Sequence, residues 1–172
     1  MTKTSDNGRA GMVHAERLPP SSDEAERGVI GCVLLDANIA LPIAQARLTN
    51  PDIFYDARHR LLWTLAGTMA DQMEKIDLIT MRQTLREIGK LEAIGGAENL
   101  SAMIDGVPSA HNVSYYLEIL EEKFLLRKMV ATCTGIVSRI YDGAEATSLI
   151  DDAEREVLAV RKIVTQPSSV GI

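Results

Sequence analysis

Between Leu18 and Ile163 the apolar residues recur every three to four positions, the period of helices that bury one face. Val29, Ile30, Val33 and Leu34 mark a first helix ending near Asp36. Ser21-x-x-Glu24 has capping-box spacing ahead of it, with Ser22 a rival N-cap. A shorter helix is predicted from Ile39 to Leu48, with Pro42 tolerated in its first turn, where an N–H has no intrahelical partner to lose. Asn50-Pro51 opens a turn, and Asp56 caps a helix carrying Leu61, Leu62, Leu65 and Met69. Asp77 caps the next, in which Ile79, Leu85 and Ile88 are expected to face inward. Gly89 suits its left-handed C′ position, with Leu91 just beyond. Gly95-Gly96 and Gly106-Val107-Pro108 bracket a short helix from Ala97 to Ile104.

After Pro108 the pattern changes. Val113, Tyr116, Leu117, Leu120, Phe124, Ala131, Val137 and Tyr141 form one stripe along a long helix from Asn112 to Tyr141. Tyr115, Ile119, Leu126, Val130, Cys133, Ile136 and Ile140 form a second. Two stripes predict contact on two sides, with surplus apolar surface for a partner. Asp142-Gly143 turns the chain, and Leu149, Ile150, Ala153, Val157, Val160 and Ile163 mark a final helix returning antiparallel. No strand pattern of useful length and no internal repeat is present. The expected fold is therefore all-α: a small helical head, residues 18–110, followed by a long antiparallel hairpin, residues 111–164, in the same domain. Residues 1–17 read as a disordered tail and residues 165–172 as the start of a linker.

Composition narrows the function. With 46% hydrophobic residues the chain can bury a core, and no apolar run approaches the roughly 18 residues of a spanning helix. There is no signal-peptide pattern either, so a soluble, cytoplasmic protein is expected. Lys and Arg number 18 against 24 Asp and Glu, without a basic patch. Tight direct nucleic-acid binding, which depends on clustered cations, is not expected. Cys32 and Cys133 have no second Cys or His at ligand spacing, so neither a disulfide nor a metal site is predicted. Both are expected to act as small apolar core residues.

Catalytic patterns are missing. The nearest approach to a phosphate-binding loop is Gly89-Lys90, but Leu91 follows instead of Ser or Thr, and Thr84 stands where the first glycine belongs. No Glu is followed three residues later by His, as a helix-bundle di-iron site requires. Glu118, Glu121, Glu122, Lys123, Arg127 and Lys128 read as a solvated charged face. His59 reads as a hydrogen-bonded helix or core histidine, and His14 and His111 suggest no site. No catalytic, cofactor-binding or metal-binding residue is assigned.

The succession LPPSSDEAERGVIGCVLLD, PDIFYDARHRLLW, IDLITMRQTLREIGKLEAIGG and VPSAHNVSYYLEILEEKFLLRKMV resembles the N-terminal domain of DnaB-type bacterial replicative helicases. The order and spacing of all four segments carry the resemblance, which covers Leu18 to Ile163. It implies a helical head and hairpin, with hairpins pairing between subunits and three pairs forming a collar around the hexamer. It also implies docking of the primase's helicase-binding domain and, in some cases, of a helicase loader. ATP and Mg would belong to a separate RecA-like motor domain beyond the linker, so this chain would be an excised N-terminal domain. The alternative is a free-standing, collar-like regulator of the helicase. By resemblance, partner contacts fall on Glu24, Val130 and Ile136; the residue-level alternatives are Glu24 as a cap and the other two as intramolecular core. At the position where the family often carries an aromatic residue this chain has Asn99, and Val107 replaces a common Thr. Phe124, Val137 and Tyr141 complete the candidate interaction residues.

Overall fold

A computed structural model describes residues 18–165, so the expected tail (1–17), the linker residues beyond 165 and the side chain of Ile163 lie outside the described residues. Seven α-helices make up the described chain: α1 Asp23–Leu35, α2 Ala37–Arg47, α3 Ala57–Asp71, α4 Leu78–Glu87, α5 Gly96–Asp105, α6 Val113–Tyr141 and α7 Ala146–Thr165. Short 3-10 turns at Pro51–Ile53, Glu92–Ile94 and Ala110–Asn112 link them, and no strand occurs among the described residues.

Helix α1 is the centre of the head, packing against α2, α3, α5 and α6. Val29, Ile30, Cys32, Val33 and Leu34 are all buried on it. Gly31 lets α1 approach α5, since a Cβ there would lie 2.2 Å from the Met103 carbonyl oxygen. The cap of α1 is Ser22, whose Oγ accepts the Ala25 N–H at 3.2 Å. This places Ala25 at the third helical position, so Ser21 and Glu24 form no capping box, and Glu24 is an exposed second-position residue.

Asp36 both ends α1 and caps α2, its N–H bonding the Cys32 carbonyl and its carboxylate accepting from Asn38 N–H. Helix α2 thus starts before Ile39, and Pro42 lies beyond the first turn instead of within it. Pro42 and Asn38 are both exposed, which leaves the disrupted carbonyl on the solvent side. In α4, Asp77 and Thr80 cap each other reciprocally. Starting at Leu78 sets the inward face to Leu78, Met81 and Leu85. Ile79 and Ile88, expected inside, are instead 67% and 47% exposed. At its end, Gly89 adopts the expected left-handed conformation with φ +66°, Lys90 N–H reaches the Leu85 carbonyl at 2.8 Å, and Leu91 packs against the core.

The root of α6 completes the core: Val113, Leu117, Leu120 and Phe124 are buried with the head residues. Farther along, α6 pairs with α7. Gly143 ends α6 with φ +83°, and Ala144 N–H closes back on the Arg139 carbonyl at 3.1 Å. Glu145 opens α7 by accepting the Thr147 and Ser148 N–H groups, which hold its carboxyl below the usual range.

Candidate protein-interaction site

Two arginines fix the hairpin root to the head. Arg47 of α2 forms a two-pronged pair with Glu121 of α6, at 2.8 Å (Nε–Oε1) and 2.6 Å (Nη2–Oε2). That bond raises the guanidinium pKa further above its ordinary value. Arg127 of α6 donates to the carbonyls of Pro20 (2.8 Å), Ile53 (2.6 Å) and Asp52 (3.2 Å), and its guanidinium lies 5.6 Å from the ring centres of Tyr55 and Phe124. Burial pushes its pKa down, opposed by the charge of Glu26. The expected solvated charged face is therefore wrong for these residues. Glu121 and Arg127 anchor one element to another, a distinction that charge spacing along a single helix does not reveal.

Past this anchor many apolar residues of the hairpin are open, although Val160 of α7 is buried. Val130, Val137, Ile140, Tyr141, Ile150 and Leu158 are all exposed, and Ile136 is half-buried. The first stripe is core only as far as Phe124; Ala131, Val137 and Tyr141 on the same stripe are solvent-facing. Cys133 is exposed as well, contrary to the expectation of a core role, while Cys32 is buried and burial pushes its thiol up to about 11. Arg139 and Glu156 join α6 to α7 at 2.8 Å. Of the candidate residues, Val130, Ile136, Val137 and Tyr141 thus share the outer hairpin, and Phe124 belongs to its buried root.

Glu24 and Asn99 sit apart from these, on the head. Arg27 donates to Asn99 Oδ1 at 2.8 Å, and Asn99 Nδ2 donates to the Ile94 carbonyl at 2.6 Å, so both ends of that amide are used within the head. Glu24, Arg27, Gly28, Tyr116 and Val107 line a small open pocket. A Cβ at Gly28 would lie 2.7 Å from the Tyr116 ring, which fixes the spacing of α1 and α6 there.

One polar group escaped sequence reasoning. Glu26 is buried, and accepts the Tyr55 N–H (2.7 Å), the Asp56 N–H (3.1 Å) and a contact from His59 Nδ1 (2.8 Å). The available signal was its position one turn before Val29 and Ile30, on the apolar side of α1. His59 is the buried, hydrogen-bonded histidine expected. His111 pairs with Ser109 at the cap of its 3-10 turn, and His14 lies outside the described residues.

Comparison with known proteins gives this geometry a family. Residues 18–122 match the model of the DnaB-like helicase N terminal domain. The chain is 39% identical over 147 residues to the replicative DNA helicase DnaB of Geobacillus stearothermophilus, covering 85% of this chain and 32% of that protein. It is 35% identical over 146 residues to the replicative DNA helicase DnaC of Bacillus subtilis, covering 84% and 32% respectively. The chain therefore spans about a third of the length of these relatives. A crystal structure of the N-terminal domain of DnaB helicase from Mycobacterium tuberculosis superposes with a TM-score of 0.73 at 33% identity, covering 83% of this chain and 99% of that one. The same fold, at 18% identity and a TM-score of 0.66, occurs in a DnaB-like replicative helicase described with its interactions with primase; there 88% of this chain covers 33% of that one. No helix among the described residues is long and apolar enough to cross a membrane. What matches is a helicase's N-terminal domain, and its motor is not among these 172 residues. The chain belongs to the DnaB-like helicase N-terminal domain family.

Proposed function

We propose that this domain joins helicase subunits through its hairpin, as part of an N-terminal collar, and docks primase or a loader on the assembled surface. The observation that carries the reading is the outer hairpin. Beyond the arginine anchor, exposed apolar residues run along both α6 and α7, a surface that a second hairpin would remove from water. The well-tied root supports the same reading, because a hairpin that is to present a fixed surface to a sister subunit needs a fixed base. The reported interactions of a structurally similar helicase with primase support the docking half. Within this reading, Val137 and Tyr141 face the sister subunit, while Val130 and Ile136 on the hairpin and Glu24 on the head supply separate docking contacts. Asn99 acts from inside the head, shaping the Gly95-Gly96 loop through its two hydrogen bonds. Replication in the cytoplasm is the setting this role implies.

Sedimentation across a range of protein concentrations tests the proposal. Wild-type chain should self-associate, and Val137→Glu should weaken association at least about tenfold, the equivalent of 1.4 kcal/mol, because burying an unpaired carboxylate opposes the contact. Wild-type protein that stays monomeric at high concentration, with its helix content intact, would contradict the collar role. Loss of primase capture alone would remove only the docking half.

A further inference from the structure

Two elements far apart in sequence converge on one ring nitrogen. His59, in the first turn of α3, is fully buried, with Nδ1 2.8 Å from Glu26 Oε2. Glu26 also accepts two backbone N–H groups, the role of an ionised, acceptor-only carboxylate. This network assigns the proton between them to Nδ1. In the neutral ring Nε2 then carries a lone pair. It is buried, and no group among the described residues hydrogen-bonds it. It points toward Asp23, whose Oδ1 lies 4.0 Å away, and one ligand atom each from Asp23, Asp56 and His59 falls within 4.8 Å of the others.

A buried acceptor facing two carboxylates calls for a cation among them, either a proton on Nε2 or a metal ion. The guanidinium of Arg58, held against Asp56, offsets only part of the carboxylate charge. The geometry points to a binding site for a divalent transition metal of the zinc class, with His59 Nε2, Asp23 and Asp56 as ligands and Glu26 holding the imidazole. One imidazole with two carboxylates suits zinc better than magnesium, which takes oxygen ligands. Donors around a tetrahedral zinc stand about 3.5 Å apart, so the His59–Asp23 gap of 4.0 Å must close by roughly half an ångström, and separations of up to 4.8 Å among the three donors by up to roughly 1.3 Å. Asp23 has the freedom to do so, since its side chain is 65% exposed at the first position of α1. The carboxylate behind the ring is the arrangement that fixes tautomer and orientation in metal-bound histidines. Such an ion ties the start of α1 to the start of α3, beside Glu24. Arg58 covers both Asp56 oxygens, Nε donating to Oδ1 and Nη2 to Oδ2, so ion and guanidinium compete for them.

The test is calorimetric titration of the metal-stripped 172-residue chain with Zn²⁺, in a Cys133→Ser background that removes the exposed thiol. Visible absorption of the Co²⁺ form reports geometry. One ion per chain should bind, His59→Gln should abolish binding, and Asp23→Asn should weaken it by about tenfold or more. Arg58→Ala should tighten it, and His111→Gln should leave it unchanged. Should His59→Gln fail to fold, exposed Asp23 carries the test together with the ¹⁵N shift of His59 Nε2 on adding Zn²⁺. The proposal is overturned if the wild-type chain binds no Zn²⁺, if Asp23→Asn binds as tightly as wild type, or if Nε2 is insensitive to the ion.

Discussion

Arg127 offers a sharp test of how the hairpin is held. Arg127→Ala removes two short charge-assisted bonds, at 2.8 and 2.6 Å, to the carbonyls of Pro20 and Ile53, and a longer one to Asp52. Hydrogen bonds involving a charged partner contribute about 1.5–3 kcal/mol each when sheltered. Because this guanidinium is partly exposed, solvent screening brings the two short bonds down to about 2–3 kcal/mol together. Its position near the Tyr55 and Phe124 rings adds roughly 0.5 kcal/mol, for a total near 3 kcal/mol. Urea unfolding at fixed protein concentration, followed by fluorescence of the single Trp63, reads this out. Trp63 is buried 5.8 Å from Phe54, next in sequence to Ile53, so the reporter sits beside the anchor. With a slope near 2 kcal/mol/M, the midpoint should fall by about 1.5 M. Arg127→Lys keeps the charge but loses the fork and should fall between the two. A loss below about 0.5 kcal/mol, typical of a surface substitution, would refute the anchoring argument.

Other outcomes follow from the packing and the caps. Gly31→Ala should destabilise the head by about 3 kcal/mol in the same urea assay, since backbone of α5 stands in the way. Gly67→Ala, with nothing within 4 Å of its added methyl, should gain up to about 1 kcal/mol. Met73, 94% exposed with φ 56°, occupies a left-handed position at the end of α3, and Met73→Gly should raise stability by roughly 0.5–1 kcal/mol, seen as a higher midpoint. Lys75 and the capping N–H groups lower the Asp77 carboxyl from its ordinary 3.8 to about 2. A depressed carboxylate gives stability that is present above the unfolded value and lost as pH falls from about 4 to about 2. Asp77→Asn keeps the cap but should flatten stability over that interval, as measured by urea midpoints at stepped pH.

Local periodicity made the helices legible, down to the Asp56, Asp77 and Gly89 boundary residues, because those signals lie within a turn of what they control. Choices between neighbouring apolar residues were less so: Leu78 and Ile79 differ by about 100° around α4, and the start of that helix decides which one turns inward. The candidate site was readable as surplus apolar surface on the long helix, but its division was not. Phe124 is the last residue of its stripe buried in the core of the head, whereas Val137, with the same spacing pattern, stands beyond it at 49% exposure. Glu26 with His59, and Arg47 with Glu121, were hidden because each pair joins helices distant along the chain. A charge that anchors two elements has the same local sequence signature as one that is merely solvated.

The central claim is that hairpins meet between subunits, and Cys133 gives direct access to it. It is exposed in the outer half of α6, while the other thiol, Cys32, is buried and its pKa is raised to about 11. Spin-labelling Cys133 and measuring the dipolar coupling between labels should give a defined intersubunit distance, whose amplitude falls when Val137→Glu is introduced. Background decay alone, at concentrations where the chain is folded and fully labelled, would contradict the account.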